Sequence, residues 1–169
     1  MAYTPASSII GLQAIATVSS TAQIATGTVI RAIDSTLGGG EFIYLPTIAS
    51  VVVGSLVNYR MSASGVYTTA MNPNTANQAS PVAVAMCAGV ASTYGWFQIE
   101  GNAVIKKTAV KVSPNVALFQ SATTGRVTSA VATGKQILGI RSGNTATVAS
   151  ATSTINVTIN RPHNQGQII

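Results

Sequence analysis

The stretch Tyr94-Gly95-Trp96-Phe97-Gln98-Ile99-Glu100-Gly101-Asn102-Ala103-Val104-Ile105-Lys106-Lys107-Thr108 carries the strongest local signal in this 169-residue chain. Large apolar residues precede Gly101-Asn102, and β-branched residues follow it. Glycine supplies the positive φ that primed two-residue turns require, so the pattern predicts two extended runs joined as a hairpin at Gly101-Asn102. The same punctuation recurs downstream. Thr124-Gly125 lies between Val116 to Gln120 and Val127 to Val131, and Gly143-Asn144 forms a third turn signal. Ile155, Val157 and Ile159 alternate with Asn156, Thr158 and Asn160, the signature of a half-buried strand, which is expected to stop at Arg161-Pro162.

Upstream, Val29, Arg31 and Ile33 open the β pattern, and Gly38 to Gly40 are expected to break the chain before Phe42 to Leu45. Pro46 closes that run because it cannot donate to a ladder. Leu56 to Arg60 and Val66 to Met71 follow, joined through Ala63-Ser64-Gly65, and Asn72 to Ser80 reads as an exposed loop. Ala14 to Ala25 and Ala85 to Ala91 are the only helix candidates, and their β-branched residues or glycine weaken both. Strands recurring about every ten residues predict a mostly β chain, a small antiparallel β-barrel or sandwich without crossover helices.

Residues 1–25 differ from the rest. They are rich in Ala, Ser and Thr and carry no charged side chain, with Tyr3, Ile9, Ile10, Leu12 and Ile15 among the larger side chains available for contacts. Two readings stay open: an extended N-terminal arm that docks on a partner, or an edge strand of the main domain. The division is then an arm over 1–25, a β domain over 26–162 and a polar tail over 163–169.

Asp34, Glu41 and Glu100 are the only carboxylates, and His163 is the only histidine. General acid–base catalysis and metal binding both draw on such groups, usually in clusters. The expectation is therefore a protein that makes contacts, with no enzyme activity, cofactor or metal. Charged residues are 7% of the chain against roughly a quarter in an ordinary domain. The polar surface must be Ser, Thr, Asn and Gln, which lose less side-chain entropy than Lys or Glu when neighbouring subunits cover them. A net charge of +6 reflects scarce acids more than abundant bases. The densest basic group, Lys106, Lys107 and Lys111, reads as a solvated strand face, and no basic stripe with interleaved aromatics points to specific nucleic-acid binding.

Cys87 is the single cysteine and sits in an apolar run, as a small buried hydrophobe would. Pro81 to Ala91, the longest apolar stretch, is too short to span a bilayer, and the N-terminus lacks a signal peptide's basic region, so synthesis in a host cytoplasm without export is expected. Gly38-Gly39-Gly40 is followed by Glu41 and a strand, where a phosphate cradle would have a helix N-terminus, and reads as a turn. Asn156-Val157-Thr158 matches a glycosylation acceptor by chance inside a strand. Phe42, Tyr44, Trp96, Phe97 and Ile99 are candidates for the core or for a subunit interface, with Trp96 the one large anchor.

Several blocks together resemble the capsid decoration, or cement, proteins of tailed bacteriophages. They are Gly40-Glu41-Phe42-Ile43-Tyr44-Leu45, Gly54-Ser55-Leu56-Val57, Pro81 to Met86, Tyr94 to Gly101, and the closing Val157 to Pro162. The resemblance covers roughly residues 26–162. It implies a β-barrel or β-tulip-like domain, commonly a homotrimer, on the outer surface of an expanded icosahedral shell, clamping neighbouring major capsid subunits. The N-terminal arm would add backbone hydrogen bonds to an exposed sheet edge of the capsid, and its deletion over residues 1–25 is expected to leave the β domain folded. This chain departs from typical acidic decoration proteins in its basic balance. A second reading is a receptor- or glycan-binding module of a fibre or spike, using an exposed Trp96 and the 72–80 loop. A third is a minor basic nucleic-acid-associated protein, with a steep salt dependence of DNA affinity.

Overall fold

The computed structural model describes residues 4–5 and 12–167. Among these there is no helix. The strands are β1 (Thr4–Pro5), β2 (Val29–Asp34), β3 (Gly38–Pro46), β4 (Leu56–Met61), β5 (Tyr67–Met71), β6 (Val82–Ala85), β7 (Tyr94–Lys106), β8 (Ala117–Gln120), β9 (Val127–Thr128), β10 (Gln136–Ser142) and β11 (Thr154–Asn164). Every ladder between them is antiparallel. The main path runs β1-β2-β3-β7-β11-β10-β8-β9, and a branch runs β7-β6-β4-β5.

The branch exists because β7 is one continuous 13-residue strand. The expected hairpin at Gly101-Asn102 is absent. Gly101 instead takes φ +104° inside the strand, where a Cβ would lie 2.5 Å from the Gly39 carbonyl oxygen. Glycine serves close backbone approach here, not reversal. The register beside it shifts from Glu41↔Glu100 to Phe42↔Gln98, leaving Ile99 without a β3 partner, which is a β-bulge. Gln98, fully buried, bridges the irregularity by donating from Nε2 to the carbonyls of Glu100 (3.0 Å) and Asn102 (2.9 Å). Before the bulge β7 lies between β3 and β6; after it, β11 takes the side that β6 held.

Two faces of the bent sheet enclose separate cores. Ile43, Leu45, Phe97 and Ile99 meet Val57, Ala83 and Ala85 in one. Ile105, Leu118, Ile137, Ile155 and Val157 meet Leu56, Val82 and Val84 in the other. Strands β4 and β6 are thus a wall between two lobes, and all four residues of β6 are buried. The sheet does not close into a barrel: β5 comes near β3 without forming a ladder with it.

A third cluster lies on the other face of β2, β3 and β7, where Ile30, Phe42, Tyr44 and Trp96 are covered by Leu12, Ile15 and Ile24. Ile15 is only 3% exposed. Residues 12–24 therefore belong to the folded body, and Thr4–Pro5 pair with Ala32 and Ile33 at the edge of β2. Among the described residues of 1–25 only Thr4–Pro5 form a strand, at the edge of β2; the others pack as turns and coil. Deleting residues 1–25 would remove part of the core, contrary to the expectation that the β domain would stay folded.

Three smaller corrections follow from backbone geometry. The triple glycine does not break the chain: Gly38 to Gly40 pair with β2, and the turn lies before them, where Asp34 Oδ1 accepts from the backbone N–H of Thr36 (2.8 Å) and Leu37 (2.9 Å). Gly143-Asn144 opens a longer connection between β10 and β11, not a two-residue hairpin. Finally, β11 passes through Arg161-Pro162 and ends at Asn164, because a bulge opposite Gly139, whose φ is +72°, absorbs the proline.

Candidate functional site

Phe42, Tyr44, Trp96 and Phe97 have no measurable exposure and Ile99 is 2% exposed, which places all five in the core. Trp96 does not offer a ring face to a sugar. Its ring lies 5.0 Å from that of Tyr44, and its Nε1 donates to the Gln13 carbonyl oxygen at 3.0 Å. Gln13 is the hub that fastens the N-terminal segment. Its Oε1 accepts from the Tyr44 hydroxyl (2.7 Å), and its Nε2 donates to the carbonyls of Thr17 (2.6 Å) and Tyr94 (3.1 Å). No apolar periodicity marks Gln13, so reading the sequence for hydrophobic anchors passes over it. Leu12 and Ile15, expected on a capsid-binding arm, pack beneath it; Tyr3, Ile9 and Ile10 lie outside the described residues.

Of the three carboxylates, Glu41 and Glu100 border one cleft of about 440 Å³ together with Arg31. Asp34 caps a turn. Glu41 binds Arg31 (3.2 Å) and Arg161 (2.6 Å); burial pushes its carboxyl upward, but these two guanidinium partners outweigh that and hold it below the usual range. Glu100 faces Glu41 across the ladder. No group of three His, Cys, Asp or Glu is placed to hold a metal among the described residues. Burial pushes the Cys87 thiol up to about 11, leaving it without thiolate character at neutral pH. His163 is exposed, in a bridge to Pro81.

Lys107 overturns the expectation of a solvated basic face. It is 1% exposed, and its Nζ donates to the carbonyls of Val110 (2.8 Å), Thr108 (3.2 Å) and Ser150 (3.3 Å). Desolvation lowers its amine below the usual lysine range. This side chain closes the end of one lobe by tying two loops to the end of β7.

The surface is polar with several apolar points. Val29 and Ile33 on β2, Val52-Val53, Met61 and Val66 beside the β4–β5 turn, Val90 and Val131 are exposed. A cleft of about 470 Å³ lies on the β4–β5 hairpin, bordered by the 72–80 loop. No helix among the described residues is long and apolar enough to cross a membrane. No family model matches the chain, and neither a curated protein nor a solved structure matches it.

Proposed function

We propose that this protein is a virion structural protein that binds the outside of an assembled phage capsid and stabilises the shell by clamping neighbouring major capsid subunits. The observation that carries the reading is the use of charge. Two of its three carboxylates are held by its own groups, Asp34 in a turn and Glu41 between two arginines, while Arg60, Lys106 and Lys111 form no ion pair among the described residues. Such a body attracts an acidic surface at long range. The blocks that carry the resemblance to decoration proteins fall on β3, β4, β6, β7 and β11, the strands that build the lobes and the wall between them. On this reading the chain is a β-tulip-like decoration domain, and a homotrimer would make attachment multivalent. A ligand that binds only the assembled shell stabilises it by mass action, so modest contacts suffice.

The burial of Trp96 weakens the sugar-stacking version of the fibre reading. Of the proposed arm over residues 1–25, Leu12 and Ile15 are committed to the core and Thr4–Pro5 pair with β2. The test is to mix purified full-length protein with shells of the virus that carries it and image the added density. Density at local three-fold positions of the outer surface is expected, with occupancy lost when residues 1–11 are deleted. Density at a vertex or tail, or full occupancy by the truncated chain, would overturn the proposal.

A further inference from the structure

The cleft on the β4–β5 hairpin has a composition that none of the preceding roles uses. Its floor is the solvent-facing side of the hairpin, where Asn58 pairs with Ala70 and Arg60 with Thr68. Gln78 and Ser80 form its wall. Arg60 makes no ion pair among the described residues, and no carboxylate lines the cleft. Amides, hydroxyls and the Arg60 guanidinium therefore share a concavity of about 470 Å³ with Tyr59 and Ala70, within the size range of small-molecule sites.

The wall is held in place before any ligand arrives. Gln78 stands between two non-glycine residues in left-handed backbone, Asn77 (φ 61°) and Ala79 (φ 49°). Such conformations persist only where surrounding contacts impose them. Here the Asn77 N–H donates to the Gly134 carbonyl (2.8 Å) and the Ala79 N–H to that of Gln165 (3.4 Å). Lys135 Nζ donates to Asn74 Oδ1 (3.0 Å), and Asn164 Nδ2 to Ser80 Oγ (2.9 Å). The loop that presents Gln78 is thus braced from β11 and from the turn before β10.

We infer that this cleft binds an acidic saccharide, with Arg60 holding the sugar's carboxylate and Asn58, Thr68, Gln78 and Ser80 meeting its hydroxyl groups. The guanidinium fork matches a carboxylate bidentately. The neutral polar groups around it suit a ligand with many hydroxyls better than the apolar side chains of a peptide. The inference is independent of attachment to a shell.

The experiment is a titration of ¹⁵N-labelled full-length protein with trigalacturonate at constant ionic strength, followed by backbone amide shifts. Saturable shifts confined to residues 58–60, 68–70 and 78–80 are expected. Arg60→Gln should weaken binding at least tenfold, Arg60→Lys less because the fork is lost but the charge kept, and Lys111→Gln, a distant cation, not at all. Absence of saturable shifts overturns the inference. Equal shifts with maltotriose remove the carboxylate from it, and an equal response to triglutamate reassigns the cleft to an acidic peptide. Equal weakening by Lys111→Gln reduces the effect to net charge. Each of these also overturns it.

Discussion

Lys107 and Gly101 are adjacent in consequence though not in space, since each is a residue whose type suggested one role and whose surroundings impose another. A buried ammonium satisfied only by carbonyl oxygens has no opposing charge, so its solvation cost is met by geometry alone. Lys107→Met leaves three carbonyls without their donor and is expected to cost about 2 kcal/mol at neutral pH, measured by urea unfolding. The pH response separates the two proteins. Because the folded amine is lowered, the unfolded chain binds more protons between the folded value and the ordinary lysine value. Wild-type stability therefore gains from Lys107 as pH rises through that window, and the variant lacks this gain. At Gly101, a Cβ would meet the β3 backbone, 2.5 Å from Gly39 O and 3.0 Å from Gly40 Cα. Gly101→Ala should cost more than about 3 kcal/mol. Gly38→Ala, also at positive φ but with nothing within 4 Å, should cost about 1 kcal/mol. Comparing the two melting temperatures isolates the close approach from the backbone strain.

At the scale of elements, what the sequence discloses is periodicity, and what it withholds is the second partner of a strand. The alternation of Ile155, Val157 and Ile159 with polar residues is legible because β11 buries one face, as its burial pattern shows. The β4–β5 hairpin is legible because its turn contains Gly65 at φ +78° between two short runs. By contrast, Gly101-Asn102 has the residue types of a turn, and only knowledge of Gly39 and Gly40 across the ladder shows that the glycine admits a neighbour. The charge of Lys107 likewise conceals burial that depends on carbonyls from the loop just after it and from the distant Ser150. The candidate site was less legible than the fold: the aromatic residues, left open between core and subunit interface, are core, and the 72–80 loop acquires meaning only beside β4 and β5. The N-terminal segment tests this level directly. Deleting residues 1–11 should leave the melting temperature within a few degrees of the full chain, whereas deleting 1–25 should collapse it. Removing Gln13 and Ile15 uncovers Trp96 and Tyr44. Circular dichroism melts of both truncations distinguish the segment that completes the core from residues 1–11.

The whole molecule is a basic body with almost no acid surface. If the proposed attachment to a shell is steered by this charge, it should weaken as salt rises from about 50 to 300 mM, since exposed charges separated by more than a Debye length are then screened. Sedimentation of shells with bound protein at graded ionic strength reads this, and an affinity indifferent to salt would count against electrostatic steering. The same body should unfold in a single transition, because neither lobe possesses its own complete boundary.

That shared boundary also governs how such a chain can change over time. Along β6, Val82 and Val84 serve one lobe while Ala83 and Ala85 serve the other, and none of the four reaches solvent. A volume change at any of them cannot be relieved outward, so it must be answered by a compensating change in a neighbour on the same side. Sequence drift in this strand is therefore confined to matched substitutions, while the surface loops are free to vary one residue at a time.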